Sequence, residues 1–138
     1  MEWKSNYSVG VSKADQQHHE IFESMLRMEK SLEKKASRDV LAKHIGEIRQ
    51  LLYQHFLDEE SLLQRLGYPD LPLHKEQHEG LILALADFER AVLSSRDPKC
   101  LVTFFEDWFV RHVLDEDKSF SSFVSAAEDI QQAANGES

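Results

Sequence analysis

The sequence predicts an all-α protein, an up-down-up-down antiparallel four-helix bundle with an extended N-terminal arm. Three observations lead there. Glycine and proline are scarce, 5 and 3 in 138 residues, while Leu, Glu, Lys, Ala and Gln are plentiful. Apolar residues recur at helical spacing in four long segments. Short turns separate those segments, so successive helices become antiparallel neighbours. A chain of this length is expected to form one domain, residues 1–138, with a real hydrophobic core.

Residues 1–14 read as the arm, with Trp3, Tyr7, Val9 and Val11 available to pack on the core. Asp15 is expected to cap the first helix, where Ile21, Phe22, Met25, Met28 and Leu32 share a stripe with His18. The second helix starts near Ser37 or Asp39 and carries Leu41, Ile45, Ile48, Leu52, His55, Glu59, Leu62 and Leu66. Gly67 supplies its left-handed stop. At ~28 residues and 1.5 Å per residue it spans roughly 40 Å.

The connection Tyr68-Pro69-Asp70-Leu71-Pro72 ends in a capping Asp and a helix-opening Pro. The third helix then places His74, His78, Leu81, Leu85, Phe88 and Val92 on one stripe. Asp97-Pro98 repeats the cap and opens the fourth, where Leu101, Phe104, Phe105, Trp108 and His112 share a face. The bundle thus covers about residues 15–118. A C-terminal tail, about 119–138, keeps Phe120, Phe123 and Val124 before a polar, fraying end.

Composition removes several function classes. A net charge of -9 disfavours nucleic acid and anionic membrane surfaces, and a solvated bundle surface accounts for it without any partner. The single cysteine, Cys100, excludes an internal disulfide and suits a reducing compartment. It reads as a small packed side chain rather than a nucleophile. No signal-peptide apolar region and no run of transmembrane length occurs, so a cytoplasmic protein without a membrane segment is expected.

The chemistry lies in the histidines. Five of the seven stand, with carboxylates, at mirror-image distances from the three turns. His18 and His55 are centred on Ala36–Ser37. His55 with Glu59, and His74 with His78, are centred on Leu66–Gly67. His74 and His78, and His112 with the acidic run Asp115-Glu116-Asp117, are centred near Ser95. In an antiparallel bundle all four groups fall in one layer near one end. Burying that many polar groups without compensation would cost several kcal/mol each, and a metal compensates most directly. Either i, i+4 pair alone is weak evidence; the agreement in depth is what carries weight.

Ligand type narrows the metal. Structural zinc takes four ligands and prefers thiolates or imidazoles, but seven candidates stand here with no cysteine among them. The HExxH signature is absent, and calcium or magnesium would want oxygen throughout. Imidazoles with a bridging carboxylate suit iron, and this many ligands suit two ions. The four-glutamate ExxH pattern of ferritin-like di-iron enzymes does not occur. His19 is rotated about 100° from His18 and should face outward, while His44 lies ~16 Å from His55 along the axis. Both read as surface or boundary residues.

These segments resemble the bacterial hemerythrins, non-haem di-iron oxygen-binding four-helix bundles. The resemblance rests on Trp3, Val9-Gly10-Val11, Asp15-Gln16-Gln17-His18 and Tyr53-Gln54-His55-Phe56-Leu57-Asp58-Glu59-Glu60. Gly67-Tyr68-Pro69, His74 with His78, and Trp108, His112 and Asp117-Lys118 complete it, from about Trp3 to Phe123. It implies two iron ions (Fe2+/Fe3+) bridged by Glu59, Asp117 and an oxo or hydroxo group. His74, His78 and His112 would hold one iron, and His18 and His55 the other. Three imidazoles and three bridges fill one octahedron. Two imidazoles and three bridges leave one position open at the second, where dioxygen is expected. Periodicity alone would favour Asp115 or Glu116, because Asp117 is five residues and about 140° from His112. The resemblance selects Asp117, which requires the helix to widen or end there.

The function expected is reversible dioxygen binding, as carrier, store or scavenger, by a protein that is not an enzyme. Ile21, Phe22, Phe56 and Trp108 would line a dry pocket, and no catalytic residue or organic cofactor site is evident. Nitric oxide or small anions could occupy the same open position. The alternative is an oxygen, redox or nitric oxide sensing module acting through a separate, unidentified partner. A di-iron peroxidase or nitric oxide reductase ranks below both, since it needs substrate access and a proton source. His78 points away from the iron-cluster repair proteins, which as a family carry glutamate there.

Overall fold

The four apolar stripes form four helices in the expected order. The computed structural model describes residues 3–4, 12–95, 98–111, 118 and 121–127. Its helices are α1 (Ser12–Glu33), α2 (Arg38–Leu66), α3 (Leu71–Ser95) and α4 (Pro98–Val110); residues 121–127 are helical too. α1 packs on α2, α2 on α3, α3 on α4, and α4 back on α1. That closed ring of sequence neighbours is an up-down-up-down four-helix bundle. Among the described residues, no helix is long and apolar enough to cross a membrane.

Two turns use the same hydrogen-bond pattern with different residues. At the end of α2, Gly67 adopts φ 71°, and the N–H groups of Gly67 and Tyr68 donate to the carbonyls of Gln64 (3.2 Å) and Leu63 (2.9 Å). This is the Schellman closure. At the end of α1, Lys35 takes the same left-handed conformation, φ 54°. Lys35 N–H donates to Leu32 (3.0 Å) and Ala36 N–H to Ser31 (2.9 Å). Ser37 then caps α2, its Oγ accepting from Val40 N–H at 3.3 Å.

The start of α1 differs from expectation. The helix begins at Ser12, so Asp15 sits inside its first turn rather than capping it. The carboxylate still meets the positive end of the helix dipole there, so an acid serves that end without being the cap. Trp3 packs against Phe22 (ring centroids 5.6 Å) and Phe109 (5.8 Å) as the arm reading expects. Tyr7, Val9 and Val11 lie outside the described residues.

The core runs the length of the bundle. Ile21, Met25 and Met28 of α1 meet Leu41, Ile45, Ile48 and Leu52 of α2, all buried. Beyond Glu59 the buried line continues at Leu63, one turn on, while the expected Leu62 and Leu66 are only partly buried. On α3, Phe88 stacks on Phe104 of α4 at 4.2 Å. Val124 of the C-terminal helix also joins the core, and its neighbour Phe123 meets Tyr68 edge-on at 5.2 Å.

Candidate metal centre

Three helices carry four imidazoles and a carboxylate into one buried layer. His18 comes from α1, His55 and Glu59 from α2, and His74 and His78 from α3. His18 and His55 are 0% exposed, Glu59 5%, and His74 and His78 3% each. The i, i+4 spacing of His55 with Glu59, and of His74 with His78, puts each pair on one helix face. The mirror placement then brings the helices together at the same depth.

All four imidazoles turn Nε2 inward. His18 Nε2 and His55 Nε2 are 3.1 Å apart, and His55 Nε2 is 3.1 Å from Glu59 Oε2. The other Glu59 oxygen, Oε1, contacts His78 Nε2 at 3.0 Å and also His74 Nε2. Two donor sets result, His18–His55–Glu59 and Glu59–His74–His78, each with its ligand atoms within 4.8 Å of one another. One carboxylate belongs to both. Its two oxygens face opposite histidine pairs.

The donor set fits cations. His55 Nδ1–H donates to Gln17 Oε1 at 2.8 Å, so the Nε2 lone pair of a neutral His55 faces a carboxylate oxygen. Two electron-pair donors at that separation repel unless a positive charge lies between them. Nitrogen and oxygen donors of this kind suit borderline ions such as iron.

Around the layer, aromatic rings hold the imidazoles. Phe56 stacks on His78 at 4.0 Å with an interplanar angle of 14°. Phe109 stands edge-on to His18 at 6.0 Å, and Tyr68 edge-on to His74 at 6.4 Å. Ile21, Phe22 and Trp108, expected as lining, are buried. A cavity of about 460 Å³ opens between α2 and α3, lined by Phe56, Leu57, His78, Ile82 and Leu83 among others. His18 and His55 do not border it.

The sequence profile of the hemerythrin HHE cation binding domain matches residues 9–124. The chain belongs to the hemerythrin family. It is 28% identical over 125 residues to the bacteriohemerythrin of Stenotrophomonas maltophilia (strain R551-3), covering 90% of this chain and 81% of that one. With the bacteriohemerythrin of Methylococcus capsulatus (strain ATCC 33009 / NCIMB 11132 / Bath) it shares 26% over 129 residues, 91% and 98% of the two chains. A crystal structure of wild-type hemerythrin superposes with a TM-score of 0.77 at 25% identity, covering 91% of this chain and 98% of that one.

Of the seven ligand positions expected of a hemerythrin, five converge in this layer. His112 and Asp117 lie outside the described residues. His19 is exposed and stacks on Trp3 at 3.6 Å, and half-buried His44 pairs its Nε2 with Ser31 Oγ at 2.9 Å. Neither joins the layer.

Sequence reasoning missed a polar chain beside His55. Gln17 Nε2 donates to Asp58 Oδ2 at 2.7 Å, Gln54 Nε2 donates to Asp58 Oδ1 at 2.9 Å, and Lys13 Nζ stands 3.5 Å from Oδ2. Burial pushes the Asp58 carboxyl up, but the Gln17 and Gln54 hydrogen bonds and the Lys13 ammonium outweigh it and hold the group below the usual carboxylate range. The signal was present, because Gln17 and Asp58 mirror each other about the α1–α2 turn much as His18 and His55 do. Phe109 was missed as well, one residue after the Trp108 that periodicity selects.

Proposed function

We infer that this chain binds dioxygen reversibly at a carboxylate-bridged di-iron centre, as a carrier, store or scavenger. The observation that carries this reading is Glu59, whose two oxygens are divided between two histidine pairs. That division is what a carboxylate spanning two ions requires. His18 and His55 hold one iron, and His74, His78 and His112 the other. Glu59 and Asp117 would be shared between them, together with an oxo or hydroxo group. His112 and Asp117 enter on the family pattern and their place in the sequence. When bound, the iron pair supplies two electrons and one open coordination position, which nitric oxide or a small anion could also occupy.

The protein's own groups do the rest. Glu59 fixes the spacing of the two donor sets, and the buried rings of Phe22, Phe56 and Phe109 keep bulk water from the imidazoles. Besides Gln17 and Glu59, the described neighbours of His18 and His55 include the rings of Phe56 and Phe109, and the cavity between α2 and α3 borders His78 instead.

Metal analysis with a visible spectrum tests the reading. Two irons per chain are expected, with charge-transfer bands that bleach under dithionite and return with oxygen. Zinc in place of iron, or a reduced form that ignores oxygen, overturns it.

A further inference from the structure

We propose that Gln17 and Asp58 are positioning residues that set which ring nitrogen of His55 is left to bind metal. This rests on reading His55 as an iron ligand. The inference follows from the direction of each hydrogen bond. A carboxylate only accepts, so Asp58 forces the side-chain NH2 of Gln17 to face it (2.7 Å). Gln54 and Lys13, at 2.9 and 3.5 Å, hold Asp58 itself in place from two further sides.

With its NH2 committed, the Gln17 amide turns its carbonyl to His55 Nδ1 at 2.8 Å. A carbonyl also only accepts, so Nδ1 carries the proton. A neutral imidazole protonated on Nδ1 leaves Nε2 as a bare electron pair, and Nε2 faces Glu59 and His18. The carboxylate orients the amide, and the amide selects the tautomer. Negative charge at Asp58 also polarises the Gln17 carbonyl and makes Nε2 a stronger donor.

The relay joins two helices, since Gln17 comes from α1 and Asp58, Gln54 and His55 from α2. It therefore requires α1 to be docked in register before His55 is ready for metal.

Two measurements test the relay. Long-range 1H–15N correlation of the His55 ring, in metal-stripped protein at pH 8, reads the tautomer without iron. Iron release to a chelator from the loaded protein reads ligand strength. The wild type should show hydrogen on Nδ1. Gln17→Leu should populate both tautomers and release iron about 10–100-fold faster. Gln17→Glu with Asp58→Asn reverses donor and acceptor between the two positions while keeping an acceptor at His55. It should restore the Nδ1–H form and bring release to within about threefold of wild type, on the same scale of outer-shell effects. If Gln17→Leu fails to fold, Asp58→Asn alone still frees the amide to flip, and a mixed tautomer is expected. An unchanged tautomer with unchanged release in the single variants, or a double variant as impaired as Gln17→Leu, overturns the proposal. A chain that takes up no iron sinks the di-iron reading, while the ring tautomer still decides the relay.

Discussion

Each oxygen of Glu59 has a different set of histidine neighbours, the arrangement that a carboxylate shared by two ions would need. Replacing it with glutamine keeps the shape and removes the shared charge. Glu59→Gln is expected to bring the iron content below one per chain by elemental analysis; retention of two would mean the bridge lies elsewhere. Asp58 makes a separate, pH-dependent prediction. Its folded-state carboxyl is more acidic than the ordinary value of about 3.9. Stability from it is complete above that value and is lost as pH falls through the lower folded value. The stability difference between wild type and Asp58→Asn in urea titrations should be flat above about pH 5 and shrink below about pH 4. His18, His55, Glu59, His74 and His78 were legible as residues because metal chemistry restricts donor types. Gln17 and Asp58 were not, since a glutamine or aspartate on a helix flank has many ordinary reasons to be there.

Among the elements, the turns decide how the helices meet. Lys35 holds a left-handed conformation that costs a residue with a Cβ about 1–2 kcal/mol, and Gly67 does the same work without that cost. Lys35→Gly should therefore stabilise the protein by about 1 kcal/mol, seen as a melting temperature higher by about 3 °C. Ser37→Ala removes the oxygen that accepts from Val40 N–H and should cost about 1 kcal/mol. Gly67 was readable as a stop because glycine is the usual residue there. The matching stop at Lys35 was not, because nothing in a lysine announces a positive φ. The beginning of α1 escaped for a related reason: Asp15 suits both the cap and the first turn, and composition does not distinguish them.

For the whole molecule, four buried imidazoles and a carboxylate form a layer of polar groups inside an apolar bundle. Metal removal should lower the melting temperature well beyond any single substitution above, because the folded state alone presents the assembled site. Equal melting temperatures for stripped and loaded protein would mean that water reaches the layer freely. The bundle itself was legible because four stripes and short turns admit few arrangements, and equal depth followed from equal distances to the turns. The exact neighbours of each donor were not, since those depend on helix rotation by less than a turn.

The shared carboxylate also gives the centre a history. His74 and His78 lie 15 and 19 residues from Glu59, whereas His18 is 37 residues from His55. The longer closure costs only about 0.6–0.8 kcal/mol more in chain entropy, but it needs a different pair of helices. The α2–α3 hairpin alone carries Glu59, His74 and His78. The hairpin therefore brings His55, Glu59, His74 and His78 together as soon as it closes, while His18 waits for α1. A chain caught part-way through folding would thus present the Glu59, His74 and His78 donors together before the set that needs His18 is assembled.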